Sequence, residues 1–133
     1  IVSLYLENFK KNAGKRKKLH SYFNNLLQNN KLNPYIRILT SNNESSPIPH
    51  LFVISAKNRD GLIRFLNKKN IPSFVRYPFP VNIVPAFSFI EKDKYIQAEV
   101  LSKTTLCLPF HQYLNKKDIR YMVSVIRKFY NKK

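Results

Sequence analysis

Apolar residues recur at helical spacing over the first thirty positions. Leu19, Tyr22, Phe23 and Leu26 follow the i, i+3, i+4, i+7 pattern, and Leu6, Phe9 and Ala13 carry the same stripe upstream. The spacing predicts a helix over Ile1 to Asn30, with a break near Gly14. Lys10, Lys11, Lys15, Arg16, Lys17 and Lys18 fall on its polar side and around that glycine. Asn29, Asn30 and the pair Asn33-Pro34 stop it.

Further along, the period shortens. Ile36 to Thr40 and the partly β-branched run Leu51 to Ala56 have strand length, and Ser41 to Pro49 between them has the composition of a loop. Asn58 is placed to cap a helix over Arg59 to Lys69 that turns Leu62, Phe65 and Leu66 inward and ends at Asn70. Ser73 to Tyr77 predicts another strand, after which Pro78, Pro80 and Pro85 hold an extended loop. Asp93 to Lys103 predicts a helix with Ile96, Val100 and Leu101 on its apolar side. Thr105 to Leu108 is a short strand cut by Pro109. Asn115, with Asp118 three residues on, opens the last helix, where Ile119, Met122, Val123, Ile126 and Phe129 or Tyr130 form the clearest stripe in the chain. The order helix, strand, strand, helix, strand, helix, strand, helix predicts an α+β fold in a single domain of 133 residues.

Composition narrows the chemistry. Lys and Arg total 24 against 7 acidic residues, a net charge of +17. Such charge favours anions, yet 17 lysines and 15 asparagines also describe a compositional bias, which is the preferred reading. Two glycines cannot build a phosphate-cradling loop, and one cysteine, Cys107, excludes a disulfide framework or a multi-thiolate metal site. An unpaired cysteine fits a reducing, cytoplasmic setting, and no apolar run approaches the roughly 20 residues a membrane span needs. The chain starts at Ile1 and its only methionine is Met122, so it reads as an excised piece, a processed product or the tail of a longer chain.

Few residues stand out as chemically poised. His20, His50 and His111 are far apart and show no metal-ligand spacing. His20 reads as solvated on the basic helix and His50 as a strand-edge residue, while His111, beside a loop at a strand end, is the better site candidate. Cys107, between leucines in a strand, reads as an inert core thiol. The segment Arg76-Tyr77-Pro78-Phe79-Pro80-Val81-Asn82 runs a strand end into a proline-held loop, where sites are often built. Arg76 offers a fork for phosphate or carboxylate, Tyr77 a ring face and a hydroxyl, and Asn82 amide donors and an acceptor. The alternative is a solvent-facing arginine beside a packed tyrosine.

These residues carry a family resemblance. Pro49 to Ile54, Arg59 to Leu62, the loop Arg76 to Phe87, Ala98 to Ser102 and Leu106-Cys107-Leu108-Pro109-Phe110-His111 together resemble the C-terminal region of the DegT/DnrJ/EryC1/StrS sugar aminotransferases. Asn12 to Leu26 resembles the helix entering that family's small domain. Arg76 stands where the family usually has histidine, and Gln112 where it usually has proline. The resemblance implies the small domain of the aspartate-aminotransferase fold, with a short mixed or antiparallel sheet and flanking helices. Residues 1–30 would be the entry helix and 31–133 the α+β small domain. It also implies a pyridoxal-phosphate enzyme, a homodimer, which moves an amino group from an amino acid such as glutamate to a nucleotide-bound keto sugar. On that reading Arg76, Tyr77, Asn82 and His111 contact or support contacts to the substrate. The Schiff-base lysine and the cofactor's other partners belong to an N-terminal large domain absent from these residues. The chain alone would then bind no cofactor and would not catalyse the reaction. The competing expectation is an inactive remnant or a basic module that binds anions or nucleic acid.

Overall fold

In the computed structural model, residues 2–29, 32, 34–39, 47–87, 89 and 95–131 are described. Helix α1 spans Val2–Gln28, strand β1 Ile36–Ile38, β2 Phe52–Ala56, helix α2 Arg59–Asn67, α3 Ile96–Thr104, β3 Thr105–Leu108 and α4 Lys116–Tyr130. The fold is α+β. The strands form one antiparallel sheet in the order β1-β2-β3, pairing Ile38 with Ile54 and Ile54 with Leu106.

Alternation along β2 gives the sheet two faces. Phe52, Ile54 and Ala56 are buried, with Val53 and Ser55 half-buried between them. Phe52, Ile54, Leu106 and Leu108 join the main hydrophobic cluster, to which α1 adds Phe23 and Leu27, α2 adds Leu62 and Leu66, and α4 adds Ile119, Met122 and Ile126. The opposite face carries Val53 and Thr105 and is bordered by the 77–81 segment and α3.

Helix α1 runs through Gly14 without a break. One interior glycine costs about 1 kcal/mol relative to alanine, which the strong helix formers around it offset. The apolar stripe behaves differently in its two halves. Phe23 and Leu27 are fully buried, whereas Leu6 and Phe9 are 66% and 53% exposed, because no described element lies over that end of the helix. Asn30 and Asn33 lie outside the described residues, as do most of the Ser41 to Pro49 loop and Asp93.

Two expected helix details are corrected. Asn58 precedes α2 but does not cap it: its backbone is left-handed at φ 52° and its side chain makes no capping bond. That side chain lies over Gly61, where a Cβ would come within 2.7 Å of its amide atoms. In α3 the buried residue is Ser102, while Ile96 and Val100 face outward and are exposed. The capping box of α4 is present as expected: Asn115 Oδ1 accepts from the N–H groups of Lys117 and Asp118, and Asp118 Oδ2 accepts from Asn115 N–H.

Ser73 to Tyr77 does not form a strand. Only Phe74 pairs, exchanging backbone hydrogen bonds of 3.3 and 2.8 Å with Cys107. Pro72, Pro78 and Pro80 bracket the segment, and each removes a donor and restricts φ, so pairing cannot propagate.

Candidate functional site

The Phe74–Cys107 bridge lays the following residues along the outer edge of β3, toward its Thr105 end. There a hollow of about 610 Å³ opens on the sheet face away from the main core. Its walls are apolar: Leu39 and Val53 from the sheet side, Phe79, Pro80 and Val81 from the proline loop, Ala98 and Leu101 from α3. Ser102 and Thr105 also line it, but their hydroxyls donate to the Glu99 and Leu101 carbonyls, both at 2.8 Å. Those donors are spent within the fold.

Tyr77 lines the hollow and is 72% exposed. The Arg76 guanidinium stands 5.9 Å from the centre of the Tyr77 ring, so one cation and one aromatic face are presented as a unit. Arg76 also acts inward. Burial pushes the Cys107 thiol above its usual pKa, while the Arg76 backbone N–H and positive charge pull the other way. Cys107 is accordingly a buried thiol, with its nucleophilic thiolate form disfavoured. Asn82 sits half-buried in a 3-10 turn over Val81–Ile83, directly after the lining residues.

His111 lies elsewhere. It follows β3 at the end opposite Thr105 and is exposed, and it is absent from the residues lining the hollow. Its Nδ1 accepts from the Tyr113 backbone N–H at 3.2 Å. The four sequence-predicted residues thus fall into two groups, Arg76, Tyr77 and Asn82 in one and His111 in the other.

Two side chains depart from their sequence-based reading. His20 is half-buried rather than freely solvated. Its ring lies 5.0 Å from Phe52 and 5.9 Å from Phe110, and burial lowers its pKa. Arg16, grouped by sequence with the solvated lysines, is half-buried. Its Nε and Nη2 donate to Gln112 Oε1 at 3.1 and 2.9 Å, and its Nη1 donates to the carbonyls of Pro49 and His50 at 3.1 and 3.4 Å. The available signal was a lone arginine among five lysines, since only arginine has the planar fork for such a set of acceptors.

Among the described residues, no group of three or more His, Cys, Asp or Glu could hold a metal ion. None of their helices is long and apolar enough to cross a membrane. Every described lysine is exposed except Lys17, which is half-buried. A Schiff-base lysine needs a desolvated, pre-formed pocket. Among the described residues, no lysine occupies such a pocket.

The fold is α+β, and an exposed cation–aromatic pair borders an apolar hollow on the outer sheet face. The family model for the DegT/DnrJ/EryC1/StrS aminotransferase family matches residues 1–127, and the chain belongs to that family. It is 32% identical over 83 residues to a pleiotropic regulatory protein of Geobacillus stearothermophilus, covering 61% of this chain and 22% of that protein. It is 26% identical over 85 residues to the dTDP-3-amino-3,4,6-trideoxy-alpha-D-glucose transaminase of Streptomyces venezuelae, covering 62% and 22%. In fold it matches S. venezuelae DesV, solved in complex with a ketimine intermediate, at a TM-score of 0.84 and 22% identity, covering 96% of this chain and 34% of that one. A putative sugar aminotransferase from Streptococcus pneumoniae, solved in a PLP form, matches at 0.78 and 20%, covering 97% and 34%. The chain spans about a third of these solved structures.

Proposed function

We propose that this chain is the C-terminal, substrate-contacting domain of a pyridoxal-phosphate-dependent nucleotide-sugar aminotransferase acting in the cytoplasm as a homodimer. The observation that carries this reading is the exposed Arg76–Tyr77 pair at the lip of the hollow, with the guanidinium 5.9 Å from the ring centre. Arg76 pairs with phosphate or carboxylate oxygens of the sugar nucleotide. Tyr77 covers the sugar ring and hydrogen-bonds it through its hydroxyl. Asn82 holds the loop that carries them, and His111 supplies a second contact from the other end of β3.

The cofactor, which supplies the electron sink for amino transfer, is held by an N-terminal large domain and not by these residues. Exposed apolar side chains support that division. Phe79, Val81, Ile83 and Phe89 cluster in and after the proline loop, and Ile96 and Val100 lie outward on α3. So much apolar surface around one site is the mark of a face that meets another body.

The test uses the polypeptide that joins this domain to its large domain. Arg76→Ala weakens sugar-nucleotide binding about tenfold or more, the value of a charge-assisted hydrogen bond, and leaves the cofactor absorbance unchanged. Unchanged substrate affinity would sink the assignment.

A further inference from the structure

The turn that carries His111 is held from outside by Arg16. Arg16 comes from the middle of α1, yet it reaches two separate segments: Gln112 beyond β3, and the Pro49 and His50 carbonyls before β2. Phe52 and Leu108 are direct partners in the sheet, so the two chain ends that Arg16 ties together leave the sheet side by side. Within the turn, the Tyr113 N–H donates to His111 Nδ1 at 3.2 Å, and the Leu114 N–H donates to the His111 carbonyl at 3.2 Å. An imidazole nitrogen that accepts a hydrogen bond carries no proton. The ring proton of neutral His111 therefore sits on Nε2, the nitrogen left free to meet a ligand.

We propose that Arg16 is a positioning residue for His111. Through Gln112 it fixes the turn in the shape that lets Tyr113 select this tautomer, so that an Nε2–H donor faces outward for a ligand oxygen of the phosphate or sugar-hydroxyl class. The idea deepens the substrate-binding reading and rests on it for the role of His111. Gln112 is essential to the arrangement. Proline, usual at this position in the family by the resemblance above, has no side-chain oxygen for Arg16 to grip. The clamp is thus a property of this chain's own pairing of Arg16 with Gln112.

The experiment has two arms. First, the imidazole nitrogens of the histidine-labelled 133-residue chain are observed by NMR, with His111 assigned from a His111→Gln sample. Wild type shows the Nε2–H tautomer. Arg16→Ala and Gln112→Ala each shift the tautomer ratio of His111 about fivefold toward the other form, the population equivalent of one ordinary hydrogen bond. Gln112→Glu keeps an acceptor for Arg16 and retains the wild-type ratio. If Arg16→Ala fails to fold, Gln112→Ala decides alone, since it changes one side chain at the domain surface. An unchanged ratio in the folded variants overturns the proposal. Second, in the polypeptide that includes the large domain, Arg16→Ala and His111→Ala both raise KM for the sugar nucleotide with kcat unchanged. If the tautomer shifts but neither variant moves KM, the clamp stands and the substrate role of His111 is what fails.

Discussion

The Phe23 ring lies stacked on the Phe52 ring, with centroids 4.0 Å apart and planes 19° from parallel. Both side chains are fully buried. One comes from α1 and the other from the first position of β2, so this contact is where the long helix is keyed to the sheet. Removing it leaves a cavity between two elements that cannot collapse onto each other. Phe23→Ala is expected to cost about 3–5 kcal/mol, as large-to-small changes of a buried aromatic do. Urea unfolding followed by circular dichroism measures it. A loss below about 1 kcal/mol would show that α1 docks by other means.

His20, one turn before Phe23, makes the same junction sensitive to pH. Its half-buried ring packs against both Phe52 and Phe110, and burial lowers its pKa from the ordinary 6.5. The unfolded chain therefore takes up the proton first as pH falls. Stability is full above about pH 6.5 and declines as pH drops toward the lower folded-state pKa. Urea midpoints at about pH 7.5 and about pH 5.5 should differ in wild type, and His20→Leu should shrink the difference. Equal wild-type and variant differences would assign the pH response to other groups.

Gly14 offers the opposite kind of change. It sits inside α1 with nothing within 4 Å of where a Cβ would be. Gly14→Ala adds a good helix former at no steric cost and is expected to stabilise the chain by about 0.5–1 kcal/mol, seen as a higher Tm. A lower Tm would mean that the glycine serves a bend or a close contact with another body.

Local pattern was enough for the elements whose signals lie within a few residues of each other. The capping box at Asn115 and Asp118 and the stripe from Ile119 to Tyr130 define α4 completely, because a helix start and a 3.6-residue period are both short-range properties. The same holds for Leu62 and Leu66 in α2 and for Thr105–Leu108 in β3. The site was legible in part. Proline spacing marked the loop after Tyr77, since proline restricts backbone wherever it occurs.

What only the tertiary structure decided involves partners far away in sequence. Ser73 to Tyr77 has strand composition, yet it pairs only at Phe74, since the flanking prolines lack the N–H groups that would carry the ladder past either end. His20 and Arg16 occupy a polar-looking run, and nothing within α1 tells them from their neighbours. Phe110 and Gln112, 90 and 96 residues further along, bury the first and bind the second. Periodicity determined where the chain would coil or extend. Which polar side chains would be enclosed depended on how α1 crosses the ends of β2 and β3, and that crossing is set by long-range packing that no local window contains.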